Sequence, residues 1–376
     1  MNTTSSENFL PWITVAHTVP QIGFFASILF GLILLILNLA GAQKMFGSYK
    51  YIINCFTLLG MAFATMEIIV YPNVHNYNAG FLFFTVAEPF GITGIQTRRV
   101  LLASYTFFYA ATVSLLATQF IYRYWGIFDV NKLRFFHGLY WLFWPIFCSI
   151  FGLQYAIGAV YFFEMDTVST AYFREELIYR YNWNISEIPA MSLLAYDPTT
   201  GGTRWWNLAG ILNICFIVNL QYGIMIYCGW CMHIQMEDKI KHFSEILRKH
   251  QKQFFKTLVL QITAPTLILF TPIFFIILLP IFDLHVSLPS GALLCSFTLY
   301  PAMDSLIVMY VVSEYPNTAK KIYGDVWKMV KDYRGLNVVG TYSNPSTEPP
   351  AEQGAHGGRR ANLEHVSETQ LEFQNF

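Results

Sequence analysis

Seven separate stretches of this chain are long and apolar enough to cross a lipid bilayer, and that single feature leaves few folds open. A helix needs about 20 apolar residues to span the hydrocarbon core, where the backbone must satisfy its own hydrogen bonds. The stretches run approximately Val19–Ala42, Tyr51–Tyr71, Val100–Tyr122, Phe135–Tyr161, Trp206–Met232, Phe254–Ile281 and Leu288–Val312. Gly-, Asn- and charge-containing breaks separate them, as connecting loops should. Composition agrees: 12% of residues are charged, against about 25% in soluble domains. The expected fold is an all-α membrane protein, a seven-helix bundle.

Lys and Arg in the flanks predict its orientation, because cytosolic loops collect them. One side gathers Lys44, Lys50, Arg123, Lys132, Arg134, a group from Lys239 to Lys256, and seven more from Lys320 to Arg360. The other has only Arg98, Arg99, Arg174, Arg180 and Arg204, so the division is eighteen against five. The amino terminus is therefore expected outside and the carboxyl terminus in the cytosol. Met1 to Pro20 holds no Lys or Arg, so the first span is expected to act as both signal and anchor. Sequons at Asn2 and Asn184 both fall on the outer side and are candidate glycosylation sites.

This predicts an extracellular segment at 1–18 and a transmembrane domain at 19–312. An amphipathic helix should follow over 313–334 on the cytosolic leaflet, with Ile322, Val326, Val330 and Tyr333 opposite Lys320, Lys321, Lys328 and Lys331. Residues 335–376 turn to Asn, Ser, Pro, Glu and Gly and are expected to be a disordered tail. The longest outer loop, about Phe162–Trp205, reads as too short to bury a core of its own.

No His, Cys, Asp or Glu group has metal-ligand spacing, and no phosphate loop or Ser/His/Asp set occurs. Neither an enzyme nor a cofactor is expected. Cys228 and Cys231 form a single C-x-x-C, and no cysteine falls in an outer loop, so no extracellular disulfide is expected. A net charge of zero offers no field for nucleic acid. The lipid bilayer is the expected surrounding.

Ionisable groups inside spans are costly and hence functional candidates. Glu67 and Asp304 lie within spans, and Arg123 closes the third at its cytosolic boundary, at the surface. In the third span Tyr105, Tyr109, Thr112, Leu116, Gln119 and Arg123 recur every three or four residues and share one helix face. The outer half of that stripe predicts a ligand wall of Tyr105, Tyr109 and Thr112, with Glu67, Tyr71 and Gln154 as polar neighbours. Packing against neighbouring helices is the simpler role for most of the stripe. Pro145, Pro265, Pro272 and Pro301 predict bent helices, with Thr266, Thr271 and Gln261 near the breaks as substitute partners.

Four strings, in order, resemble the nematode serpentine chemoreceptors of the Str type. They are Gly47-Ser48-Tyr49-Lys50-Tyr51, Phe120-Ile121-Tyr122-Arg123-Tyr124-Trp125, Leu258-Val259-Leu260-Gln261 with Pro265, and Phe297 to Asp304 with Tyr300-Pro301. The chain departs where Ser305 replaces the family's usual proline and where Ser313-Glu314-Tyr315-Pro316 replaces a basic-aromatic run.

The resemblance implies a G-protein-coupled chemoreceptor in the plasma membrane, in the ciliary membrane of chemosensory neurons. Its partners would be a small, volatile, apolar ligand and a heterotrimeric G protein. Arg123 and Tyr122, with Lys241, Arg248 and Lys249 of a basic third inner loop, are the expected coupling residues. The rival reading is an odorant-gated cation channel of the insect seven-helix type, which places its amino terminus inside, against the charge division. A structural or transport protein is a more distant third.

Overall fold

The computed structural model describes residues 8–40, 49–241 and 244–339. Asn2, Lys44, the Gly47-Ser48 part of the first motif and the tail from residue 340 lie outside the described residues. Seven helical spans are present: Leu10–Ala40, Tyr49–Val70, Ile95–Phe128, Gly138–Phe162, Trp205–Ile240, Arg248–Phe282 and Gly291–Val311. Several exceed the apolar stretches, because a helix continues through the headgroup layer once its polar residues have water to meet. The sequence-based ends differ widely at Leu10, nine residues before Val19, and at Ile240, eight beyond Met232.

The helices are α1 (Leu10–Ala40), α2 (Tyr49–Val70), α3 (Ile95–Phe128), α4 (Phe143–Phe162), α5 (Thr167–Tyr181) and α6 (Trp205–Ile240). Then come α7 (Glu245–Pro265), α8 (Thr271–Phe282), α9 (Gly291–Leu294), α10 (Leu299–Val311) and α11 (Glu314–Val339). The sixth span is α7 and α8 joined by a π turn at Thr266–Phe270, and the seventh is α9 and α10 joined by a 3-10 turn. Helix α3 runs through the middle, packed on α2, α4 and α6. Between α1 and the seventh span the backbones approach closely: a Cβ on Gly23 would lie 2.6 Å from the Thr298 Cβ. Nearby, the Ser27 hydroxyl donates to the Thr298 carbonyl at 3.0 Å. Small residues allow this approach where packing, not hydrophobicity, drives helices together.

Proline breaks the sixth span as expected, and two of the three expected side chains bond backbone carbonyls there. Thr271 Oγ1 donates to the Thr266 carbonyl and Thr266 Oγ1 to that of Ile262. Gln261 does not serve the break; its amide donates to Asp304 Oδ1 at 2.7 Å.

One end of the bundle carries a sheet that the loop reading missed. Strands β1 (Asn73–Tyr77), β2 (Gly80–Phe84), β3 (Ala190–Leu194) and β4 (Ser287–Leu288) lie in the order β3-β2-β1-β4, all pairs antiparallel. Asn78, at φ 44°, turns β1 into β2, a conformation that Asn tolerates better than most residues. Above the sheet Phe9, Leu82, Phe84, Phe173, Leu177 and Tyr181 form a small core. The outer loop contributes to this core without having one of its own, which agrees with its being too short to bury one alone. Its α5 shares the burial with Phe9, α1 and β1–β2, so no single loop has to enclose the core alone.

The helix α11 was expected to end at 334 and continues to Val339. Its Tyr323, Val326, Trp327 and Tyr333 are exposed, as an apolar stripe would be before lipid covers it.

Candidate functional site

Beneath the sheet the bundle holds a partly open cavity of about 80 Å³, the room of several waters. Its roof is Val74, Phe81, Phe83 and Met191 from β1–β3; alternation sends these residues down while His75 and Leu82 point up into the cap core. Its walls are Tyr105, Thr106 and Tyr109 of α3, Tyr155 and Ala159 of α4, Ile214 of α6 and Ile273, Ile276 and Ile277 of α8. Phe297 closes the side toward the seventh span.

Nearly all this surface is hydrocarbon or ring. The Tyr105 hydroxyl donates to Glu67 Oε2 at 3.2 Å, and Thr106 Oγ1 donates to the Ala103 carbonyl. The Tyr109 ring stacks on Phe297 at 5.9 Å and leans on Tyr155 at 5.8 Å, but its buried hydroxyl has no protein partner among the described residues. The cavity thus offers apolar contact and a hydroxyl ready for one hydrogen bond.

Of the six residues expected to form the site, only Tyr105 and Tyr109 line it. Glu67 stands behind Tyr105, fully buried, with Oε1 unpartnered. Thr112 is turned away and donates to the Phe108 carbonyl at 2.8 Å. Tyr71 lies toward α1, stacked on His17 at 4.3 Å and accepting from Gln21. Gln154 bridges α4 to Asn213 of α6 at 3.1 Å. The α3 periodicity located the face, but one turn deeper the core fills with packed side chains. The roof and the α8 wall went unread; their signal was the aromatic run Phe81 to Phe84, which sequence reading left in a loop.

At the opposite end Arg123 is also not where it was expected. It was read as ending α3 at the surface; the helix runs five residues further and Arg123 is only 6% exposed. Its guanidinium lies 3.3 Å from the ring centre of Tyr49 and 3.6 Å from that of Phe254. Two of its nitrogens, Nε and Nη2, have no protein partner among the described residues. Tyr122 stacks on Tyr49 at 5.2 Å, and Tyr49 donates to Gln119 at 3.3 Å. Aromatic faces thus hold the cation in place of a carboxylate.

The basic third loop is mostly helix. Lys239 lies on α6, while Arg248, Lys249, Lys252 and Lys256 lie on α7. Lys241 pairs with Asp238 at 2.6 Å and Lys252 with Glu237 at 2.8 Å, while Arg248 is 4.0 Å from Glu245. In the seventh span Tyr300 is buried with its hydroxyl unpartnered, Pro301 abuts Gly60, and Asp304 takes the Gln261 bond. Asn184 is exposed on the cap, its Oδ1 accepting from Ser186 Oγ at 2.8 Å. Among the described residues no cluster of three metal-ligating side chains occurs.

Residues 16–320 match the family of serpentine type 7TM GPCR chemoreceptors, Str, a match that takes in six spans whole and most of the first. The chain belongs to the Str family. The Caenorhabditis elegans protein G-protein coupled receptor str-33 is 34% identical over 309 residues, 80% of this chain and 88% of that one. Serpentine receptor class r-10 of the same nematode is 29% identical over 82% of this chain and 90% of its own. Its Caenorhabditis briggsae counterpart is 27% identical over 83% and 91%. This Str protein is a multi-pass membrane protein and a G-protein-coupled chemoreceptor; the family is one of receptors, not enzymes. The insect-type channel reading is not favoured.

Proposed function

We propose that this Str receptor detects a small, mostly apolar, volatile molecule bearing one polar group, held under the cap sheet. The observation that carries the reading is the unpartnered Tyr109 hydroxyl within an otherwise apolar cavity. A ligand of roughly six heavy atoms suits it. At about −1.5 kcal/mol per atom for the best tiny ligands, such a molecule can bind at micromolar levels.

The cap faces outside and the Arg123 end faces the cytosol, in the ciliary membrane of a chemosensory neuron. The eighteen-to-five charge division and the exposed sequon at Asn184 support that orientation. The exposed ends of α6 and α7 form the surface that answers to the G protein, with Arg123 and Tyr122 buried behind it. Lys241, Arg248 and Lys249 contribute charge there, and Tyr300, Pro301 and Asp304 tie the seventh span to the second and sixth.

Expression in a G-protein reporter cell against a panel of small volatiles tests the reading. One volatile should raise nucleotide exchange, and neutralising Lys241, Arg248 and Lys249 together should weaken it without changing ligand binding. A tag after Phe376 should stain only in permeabilised cells. Staining on intact cells would overturn the orientation.

A further inference from the structure

The cap and the sixth span are joined at a place where proline has removed the helix's own hydrogen bond. Pro280 has no N–H, so the carbonyl of Ile276, four residues earlier, loses its partner within α8. In a membrane such a carbonyl needs another donor. Asn76 of β1 supplies it: its Nδ2 lies 2.9 Å from the Ile276 oxygen, and the side chain is buried. A second bond of the same kind closes the end of α8, where the Tyr196 hydroxyl donates to the Ile281 carbonyl at 2.8 Å.

These bonds stand beside the cavity. Asn76 is two residues from Val74, so both point to the same face of β1, and Val74 and Ile276 both line the cavity. Whatever fills the cavity must press on the sheet and on α8 together.

The geometry points to Asn76 as a positioning residue that fastens the outer half of the sixth span to the cap. Through it, occupancy of the cavity reaches that span. Below the latch the π turn and Pro272 interrupt the continuity of α8 with α7. With Asn76 bonded, α8 and the sheet move as one body. Without it, α8 can rotate on the π turn, toward arrangements in which Arg123 leaves its aromatic cage. The receptor reading proposed above underlies only the signalling half of this inference.

Hydrogen exchange on the full chain in lipid nanodiscs tests the latch without any agonist. In Asn76→Leu, amides of residues 273–282 should exchange about ten-fold faster, with α3 unchanged. Tyr196→Phe should give a smaller rise confined to the end of α8. Pro280→Ala restores the missing N–H within α8 but does not rejoin α8 to the sheet, so adding it to Asn76→Leu should leave most of the rise. Unchanged exchange in Asn76→Leu, or a rise that the double variant abolishes, overturns the latch.

In a reporter cell Asn76→Leu should raise agonist-independent nucleotide exchange at least about two-fold, and the double variant should keep it raised. A loosened α8 with unaltered basal signalling overturns the transmitting role. If the parent chain drives no G protein at all, the coupling proposal fails, and exchange in residues 273–282 still decides the latch.

Discussion

Replacing Tyr109 by Phe isolates one atom of the cavity. The hydroxyl has no protein partner among the described residues, so its removal breaks no protein hydrogen bond and leaves the ring on Phe297 and Tyr155. Surface density should therefore match the parent. A ligand that accepts a hydrogen bond from this hydroxyl gains about 0.5–1.5 kcal/mol from it. Its half-maximal concentration should then rise about 2- to 12-fold, since 1.4 kcal/mol is about tenfold. A hydrocarbon of the same shape should keep its response, because it makes no such bond in the parent. The assay is a pair of dose-response curves, one for a carbonyl compound and one for its hydrocarbon isostere, at equal surface density. Equal shifts for both would show that Tyr109 acts by shape. No shift for the carbonyl compound would remove the hydroxyl from recognition.

Arg123→Ala should reach the surface and lose most signalling, because the cage of Tyr49 and Phe254 would close on an empty centre; normal signalling at equal density would make Arg123 a mere packing residue. Gly23→Ala places a methyl 2.6 Å from the Thr298 Cβ and should cost about 1–3 kcal/mol, seen as a lower Tm in nanodiscs. Gly126→Ala, with open space around it, should leave Tm unchanged or raise it.

The cap should loosen in acid. Burial holds the His75 imidazole below its usual pKa of 6.5, outweighing the Glu176 carboxylate 3.4 Å away; Arg180 lowers it further, and the Tyr181 hydroxyl meets Nδ1 at 3.1 Å. Burial would raise Glu176, but hydrogen bonds from His75, Ser287 and Arg180 hold it below its usual 4.5. As pH falls from about 6.5 the unfolded cap binds a proton at His75 that the folded cap resists. Below 4.5 the Glu176 contribution is lost as well. Hydrogen exchange of β1 should therefore quicken from pH 7.5 to 5, and His75→Gln should flatten the first part of that change. A rate independent of pH after correction for intrinsic exchange would refute it.

What the sequence determined by itself is what the membrane dictates. Twenty apolar residues must be helix wherever lipid surrounds them, so seven stretches predict seven spans without knowledge of any contact. The face of α3 that turns inward was legible too, because Tyr105, Tyr109 and Gln119 keep helical spacing and would be costly against lipid. Periodicity names a face, however, and not the depth at which a cavity opens on it. Thr112 lies one turn too deep, and Gln154 and Tyr71 find partners on α6 and α1.

The cap belonged entirely to tertiary structure. Strands of five, five, five and two residues from three loops pair only after the helices have brought them together. Out of that context a run such as Phe81 to Phe84 has no partner to reveal it. Arg123 shows the same limit at the other end. Its position in the sequence marked a helix approaching water, but its burial depends on Tyr49 and Phe254, two rings more than a hundred residues apart in sequence. Backbone hydrogen bonding within a span is local and can be read along the chain; the enclosure of a side chain is set by what other segments bring to it.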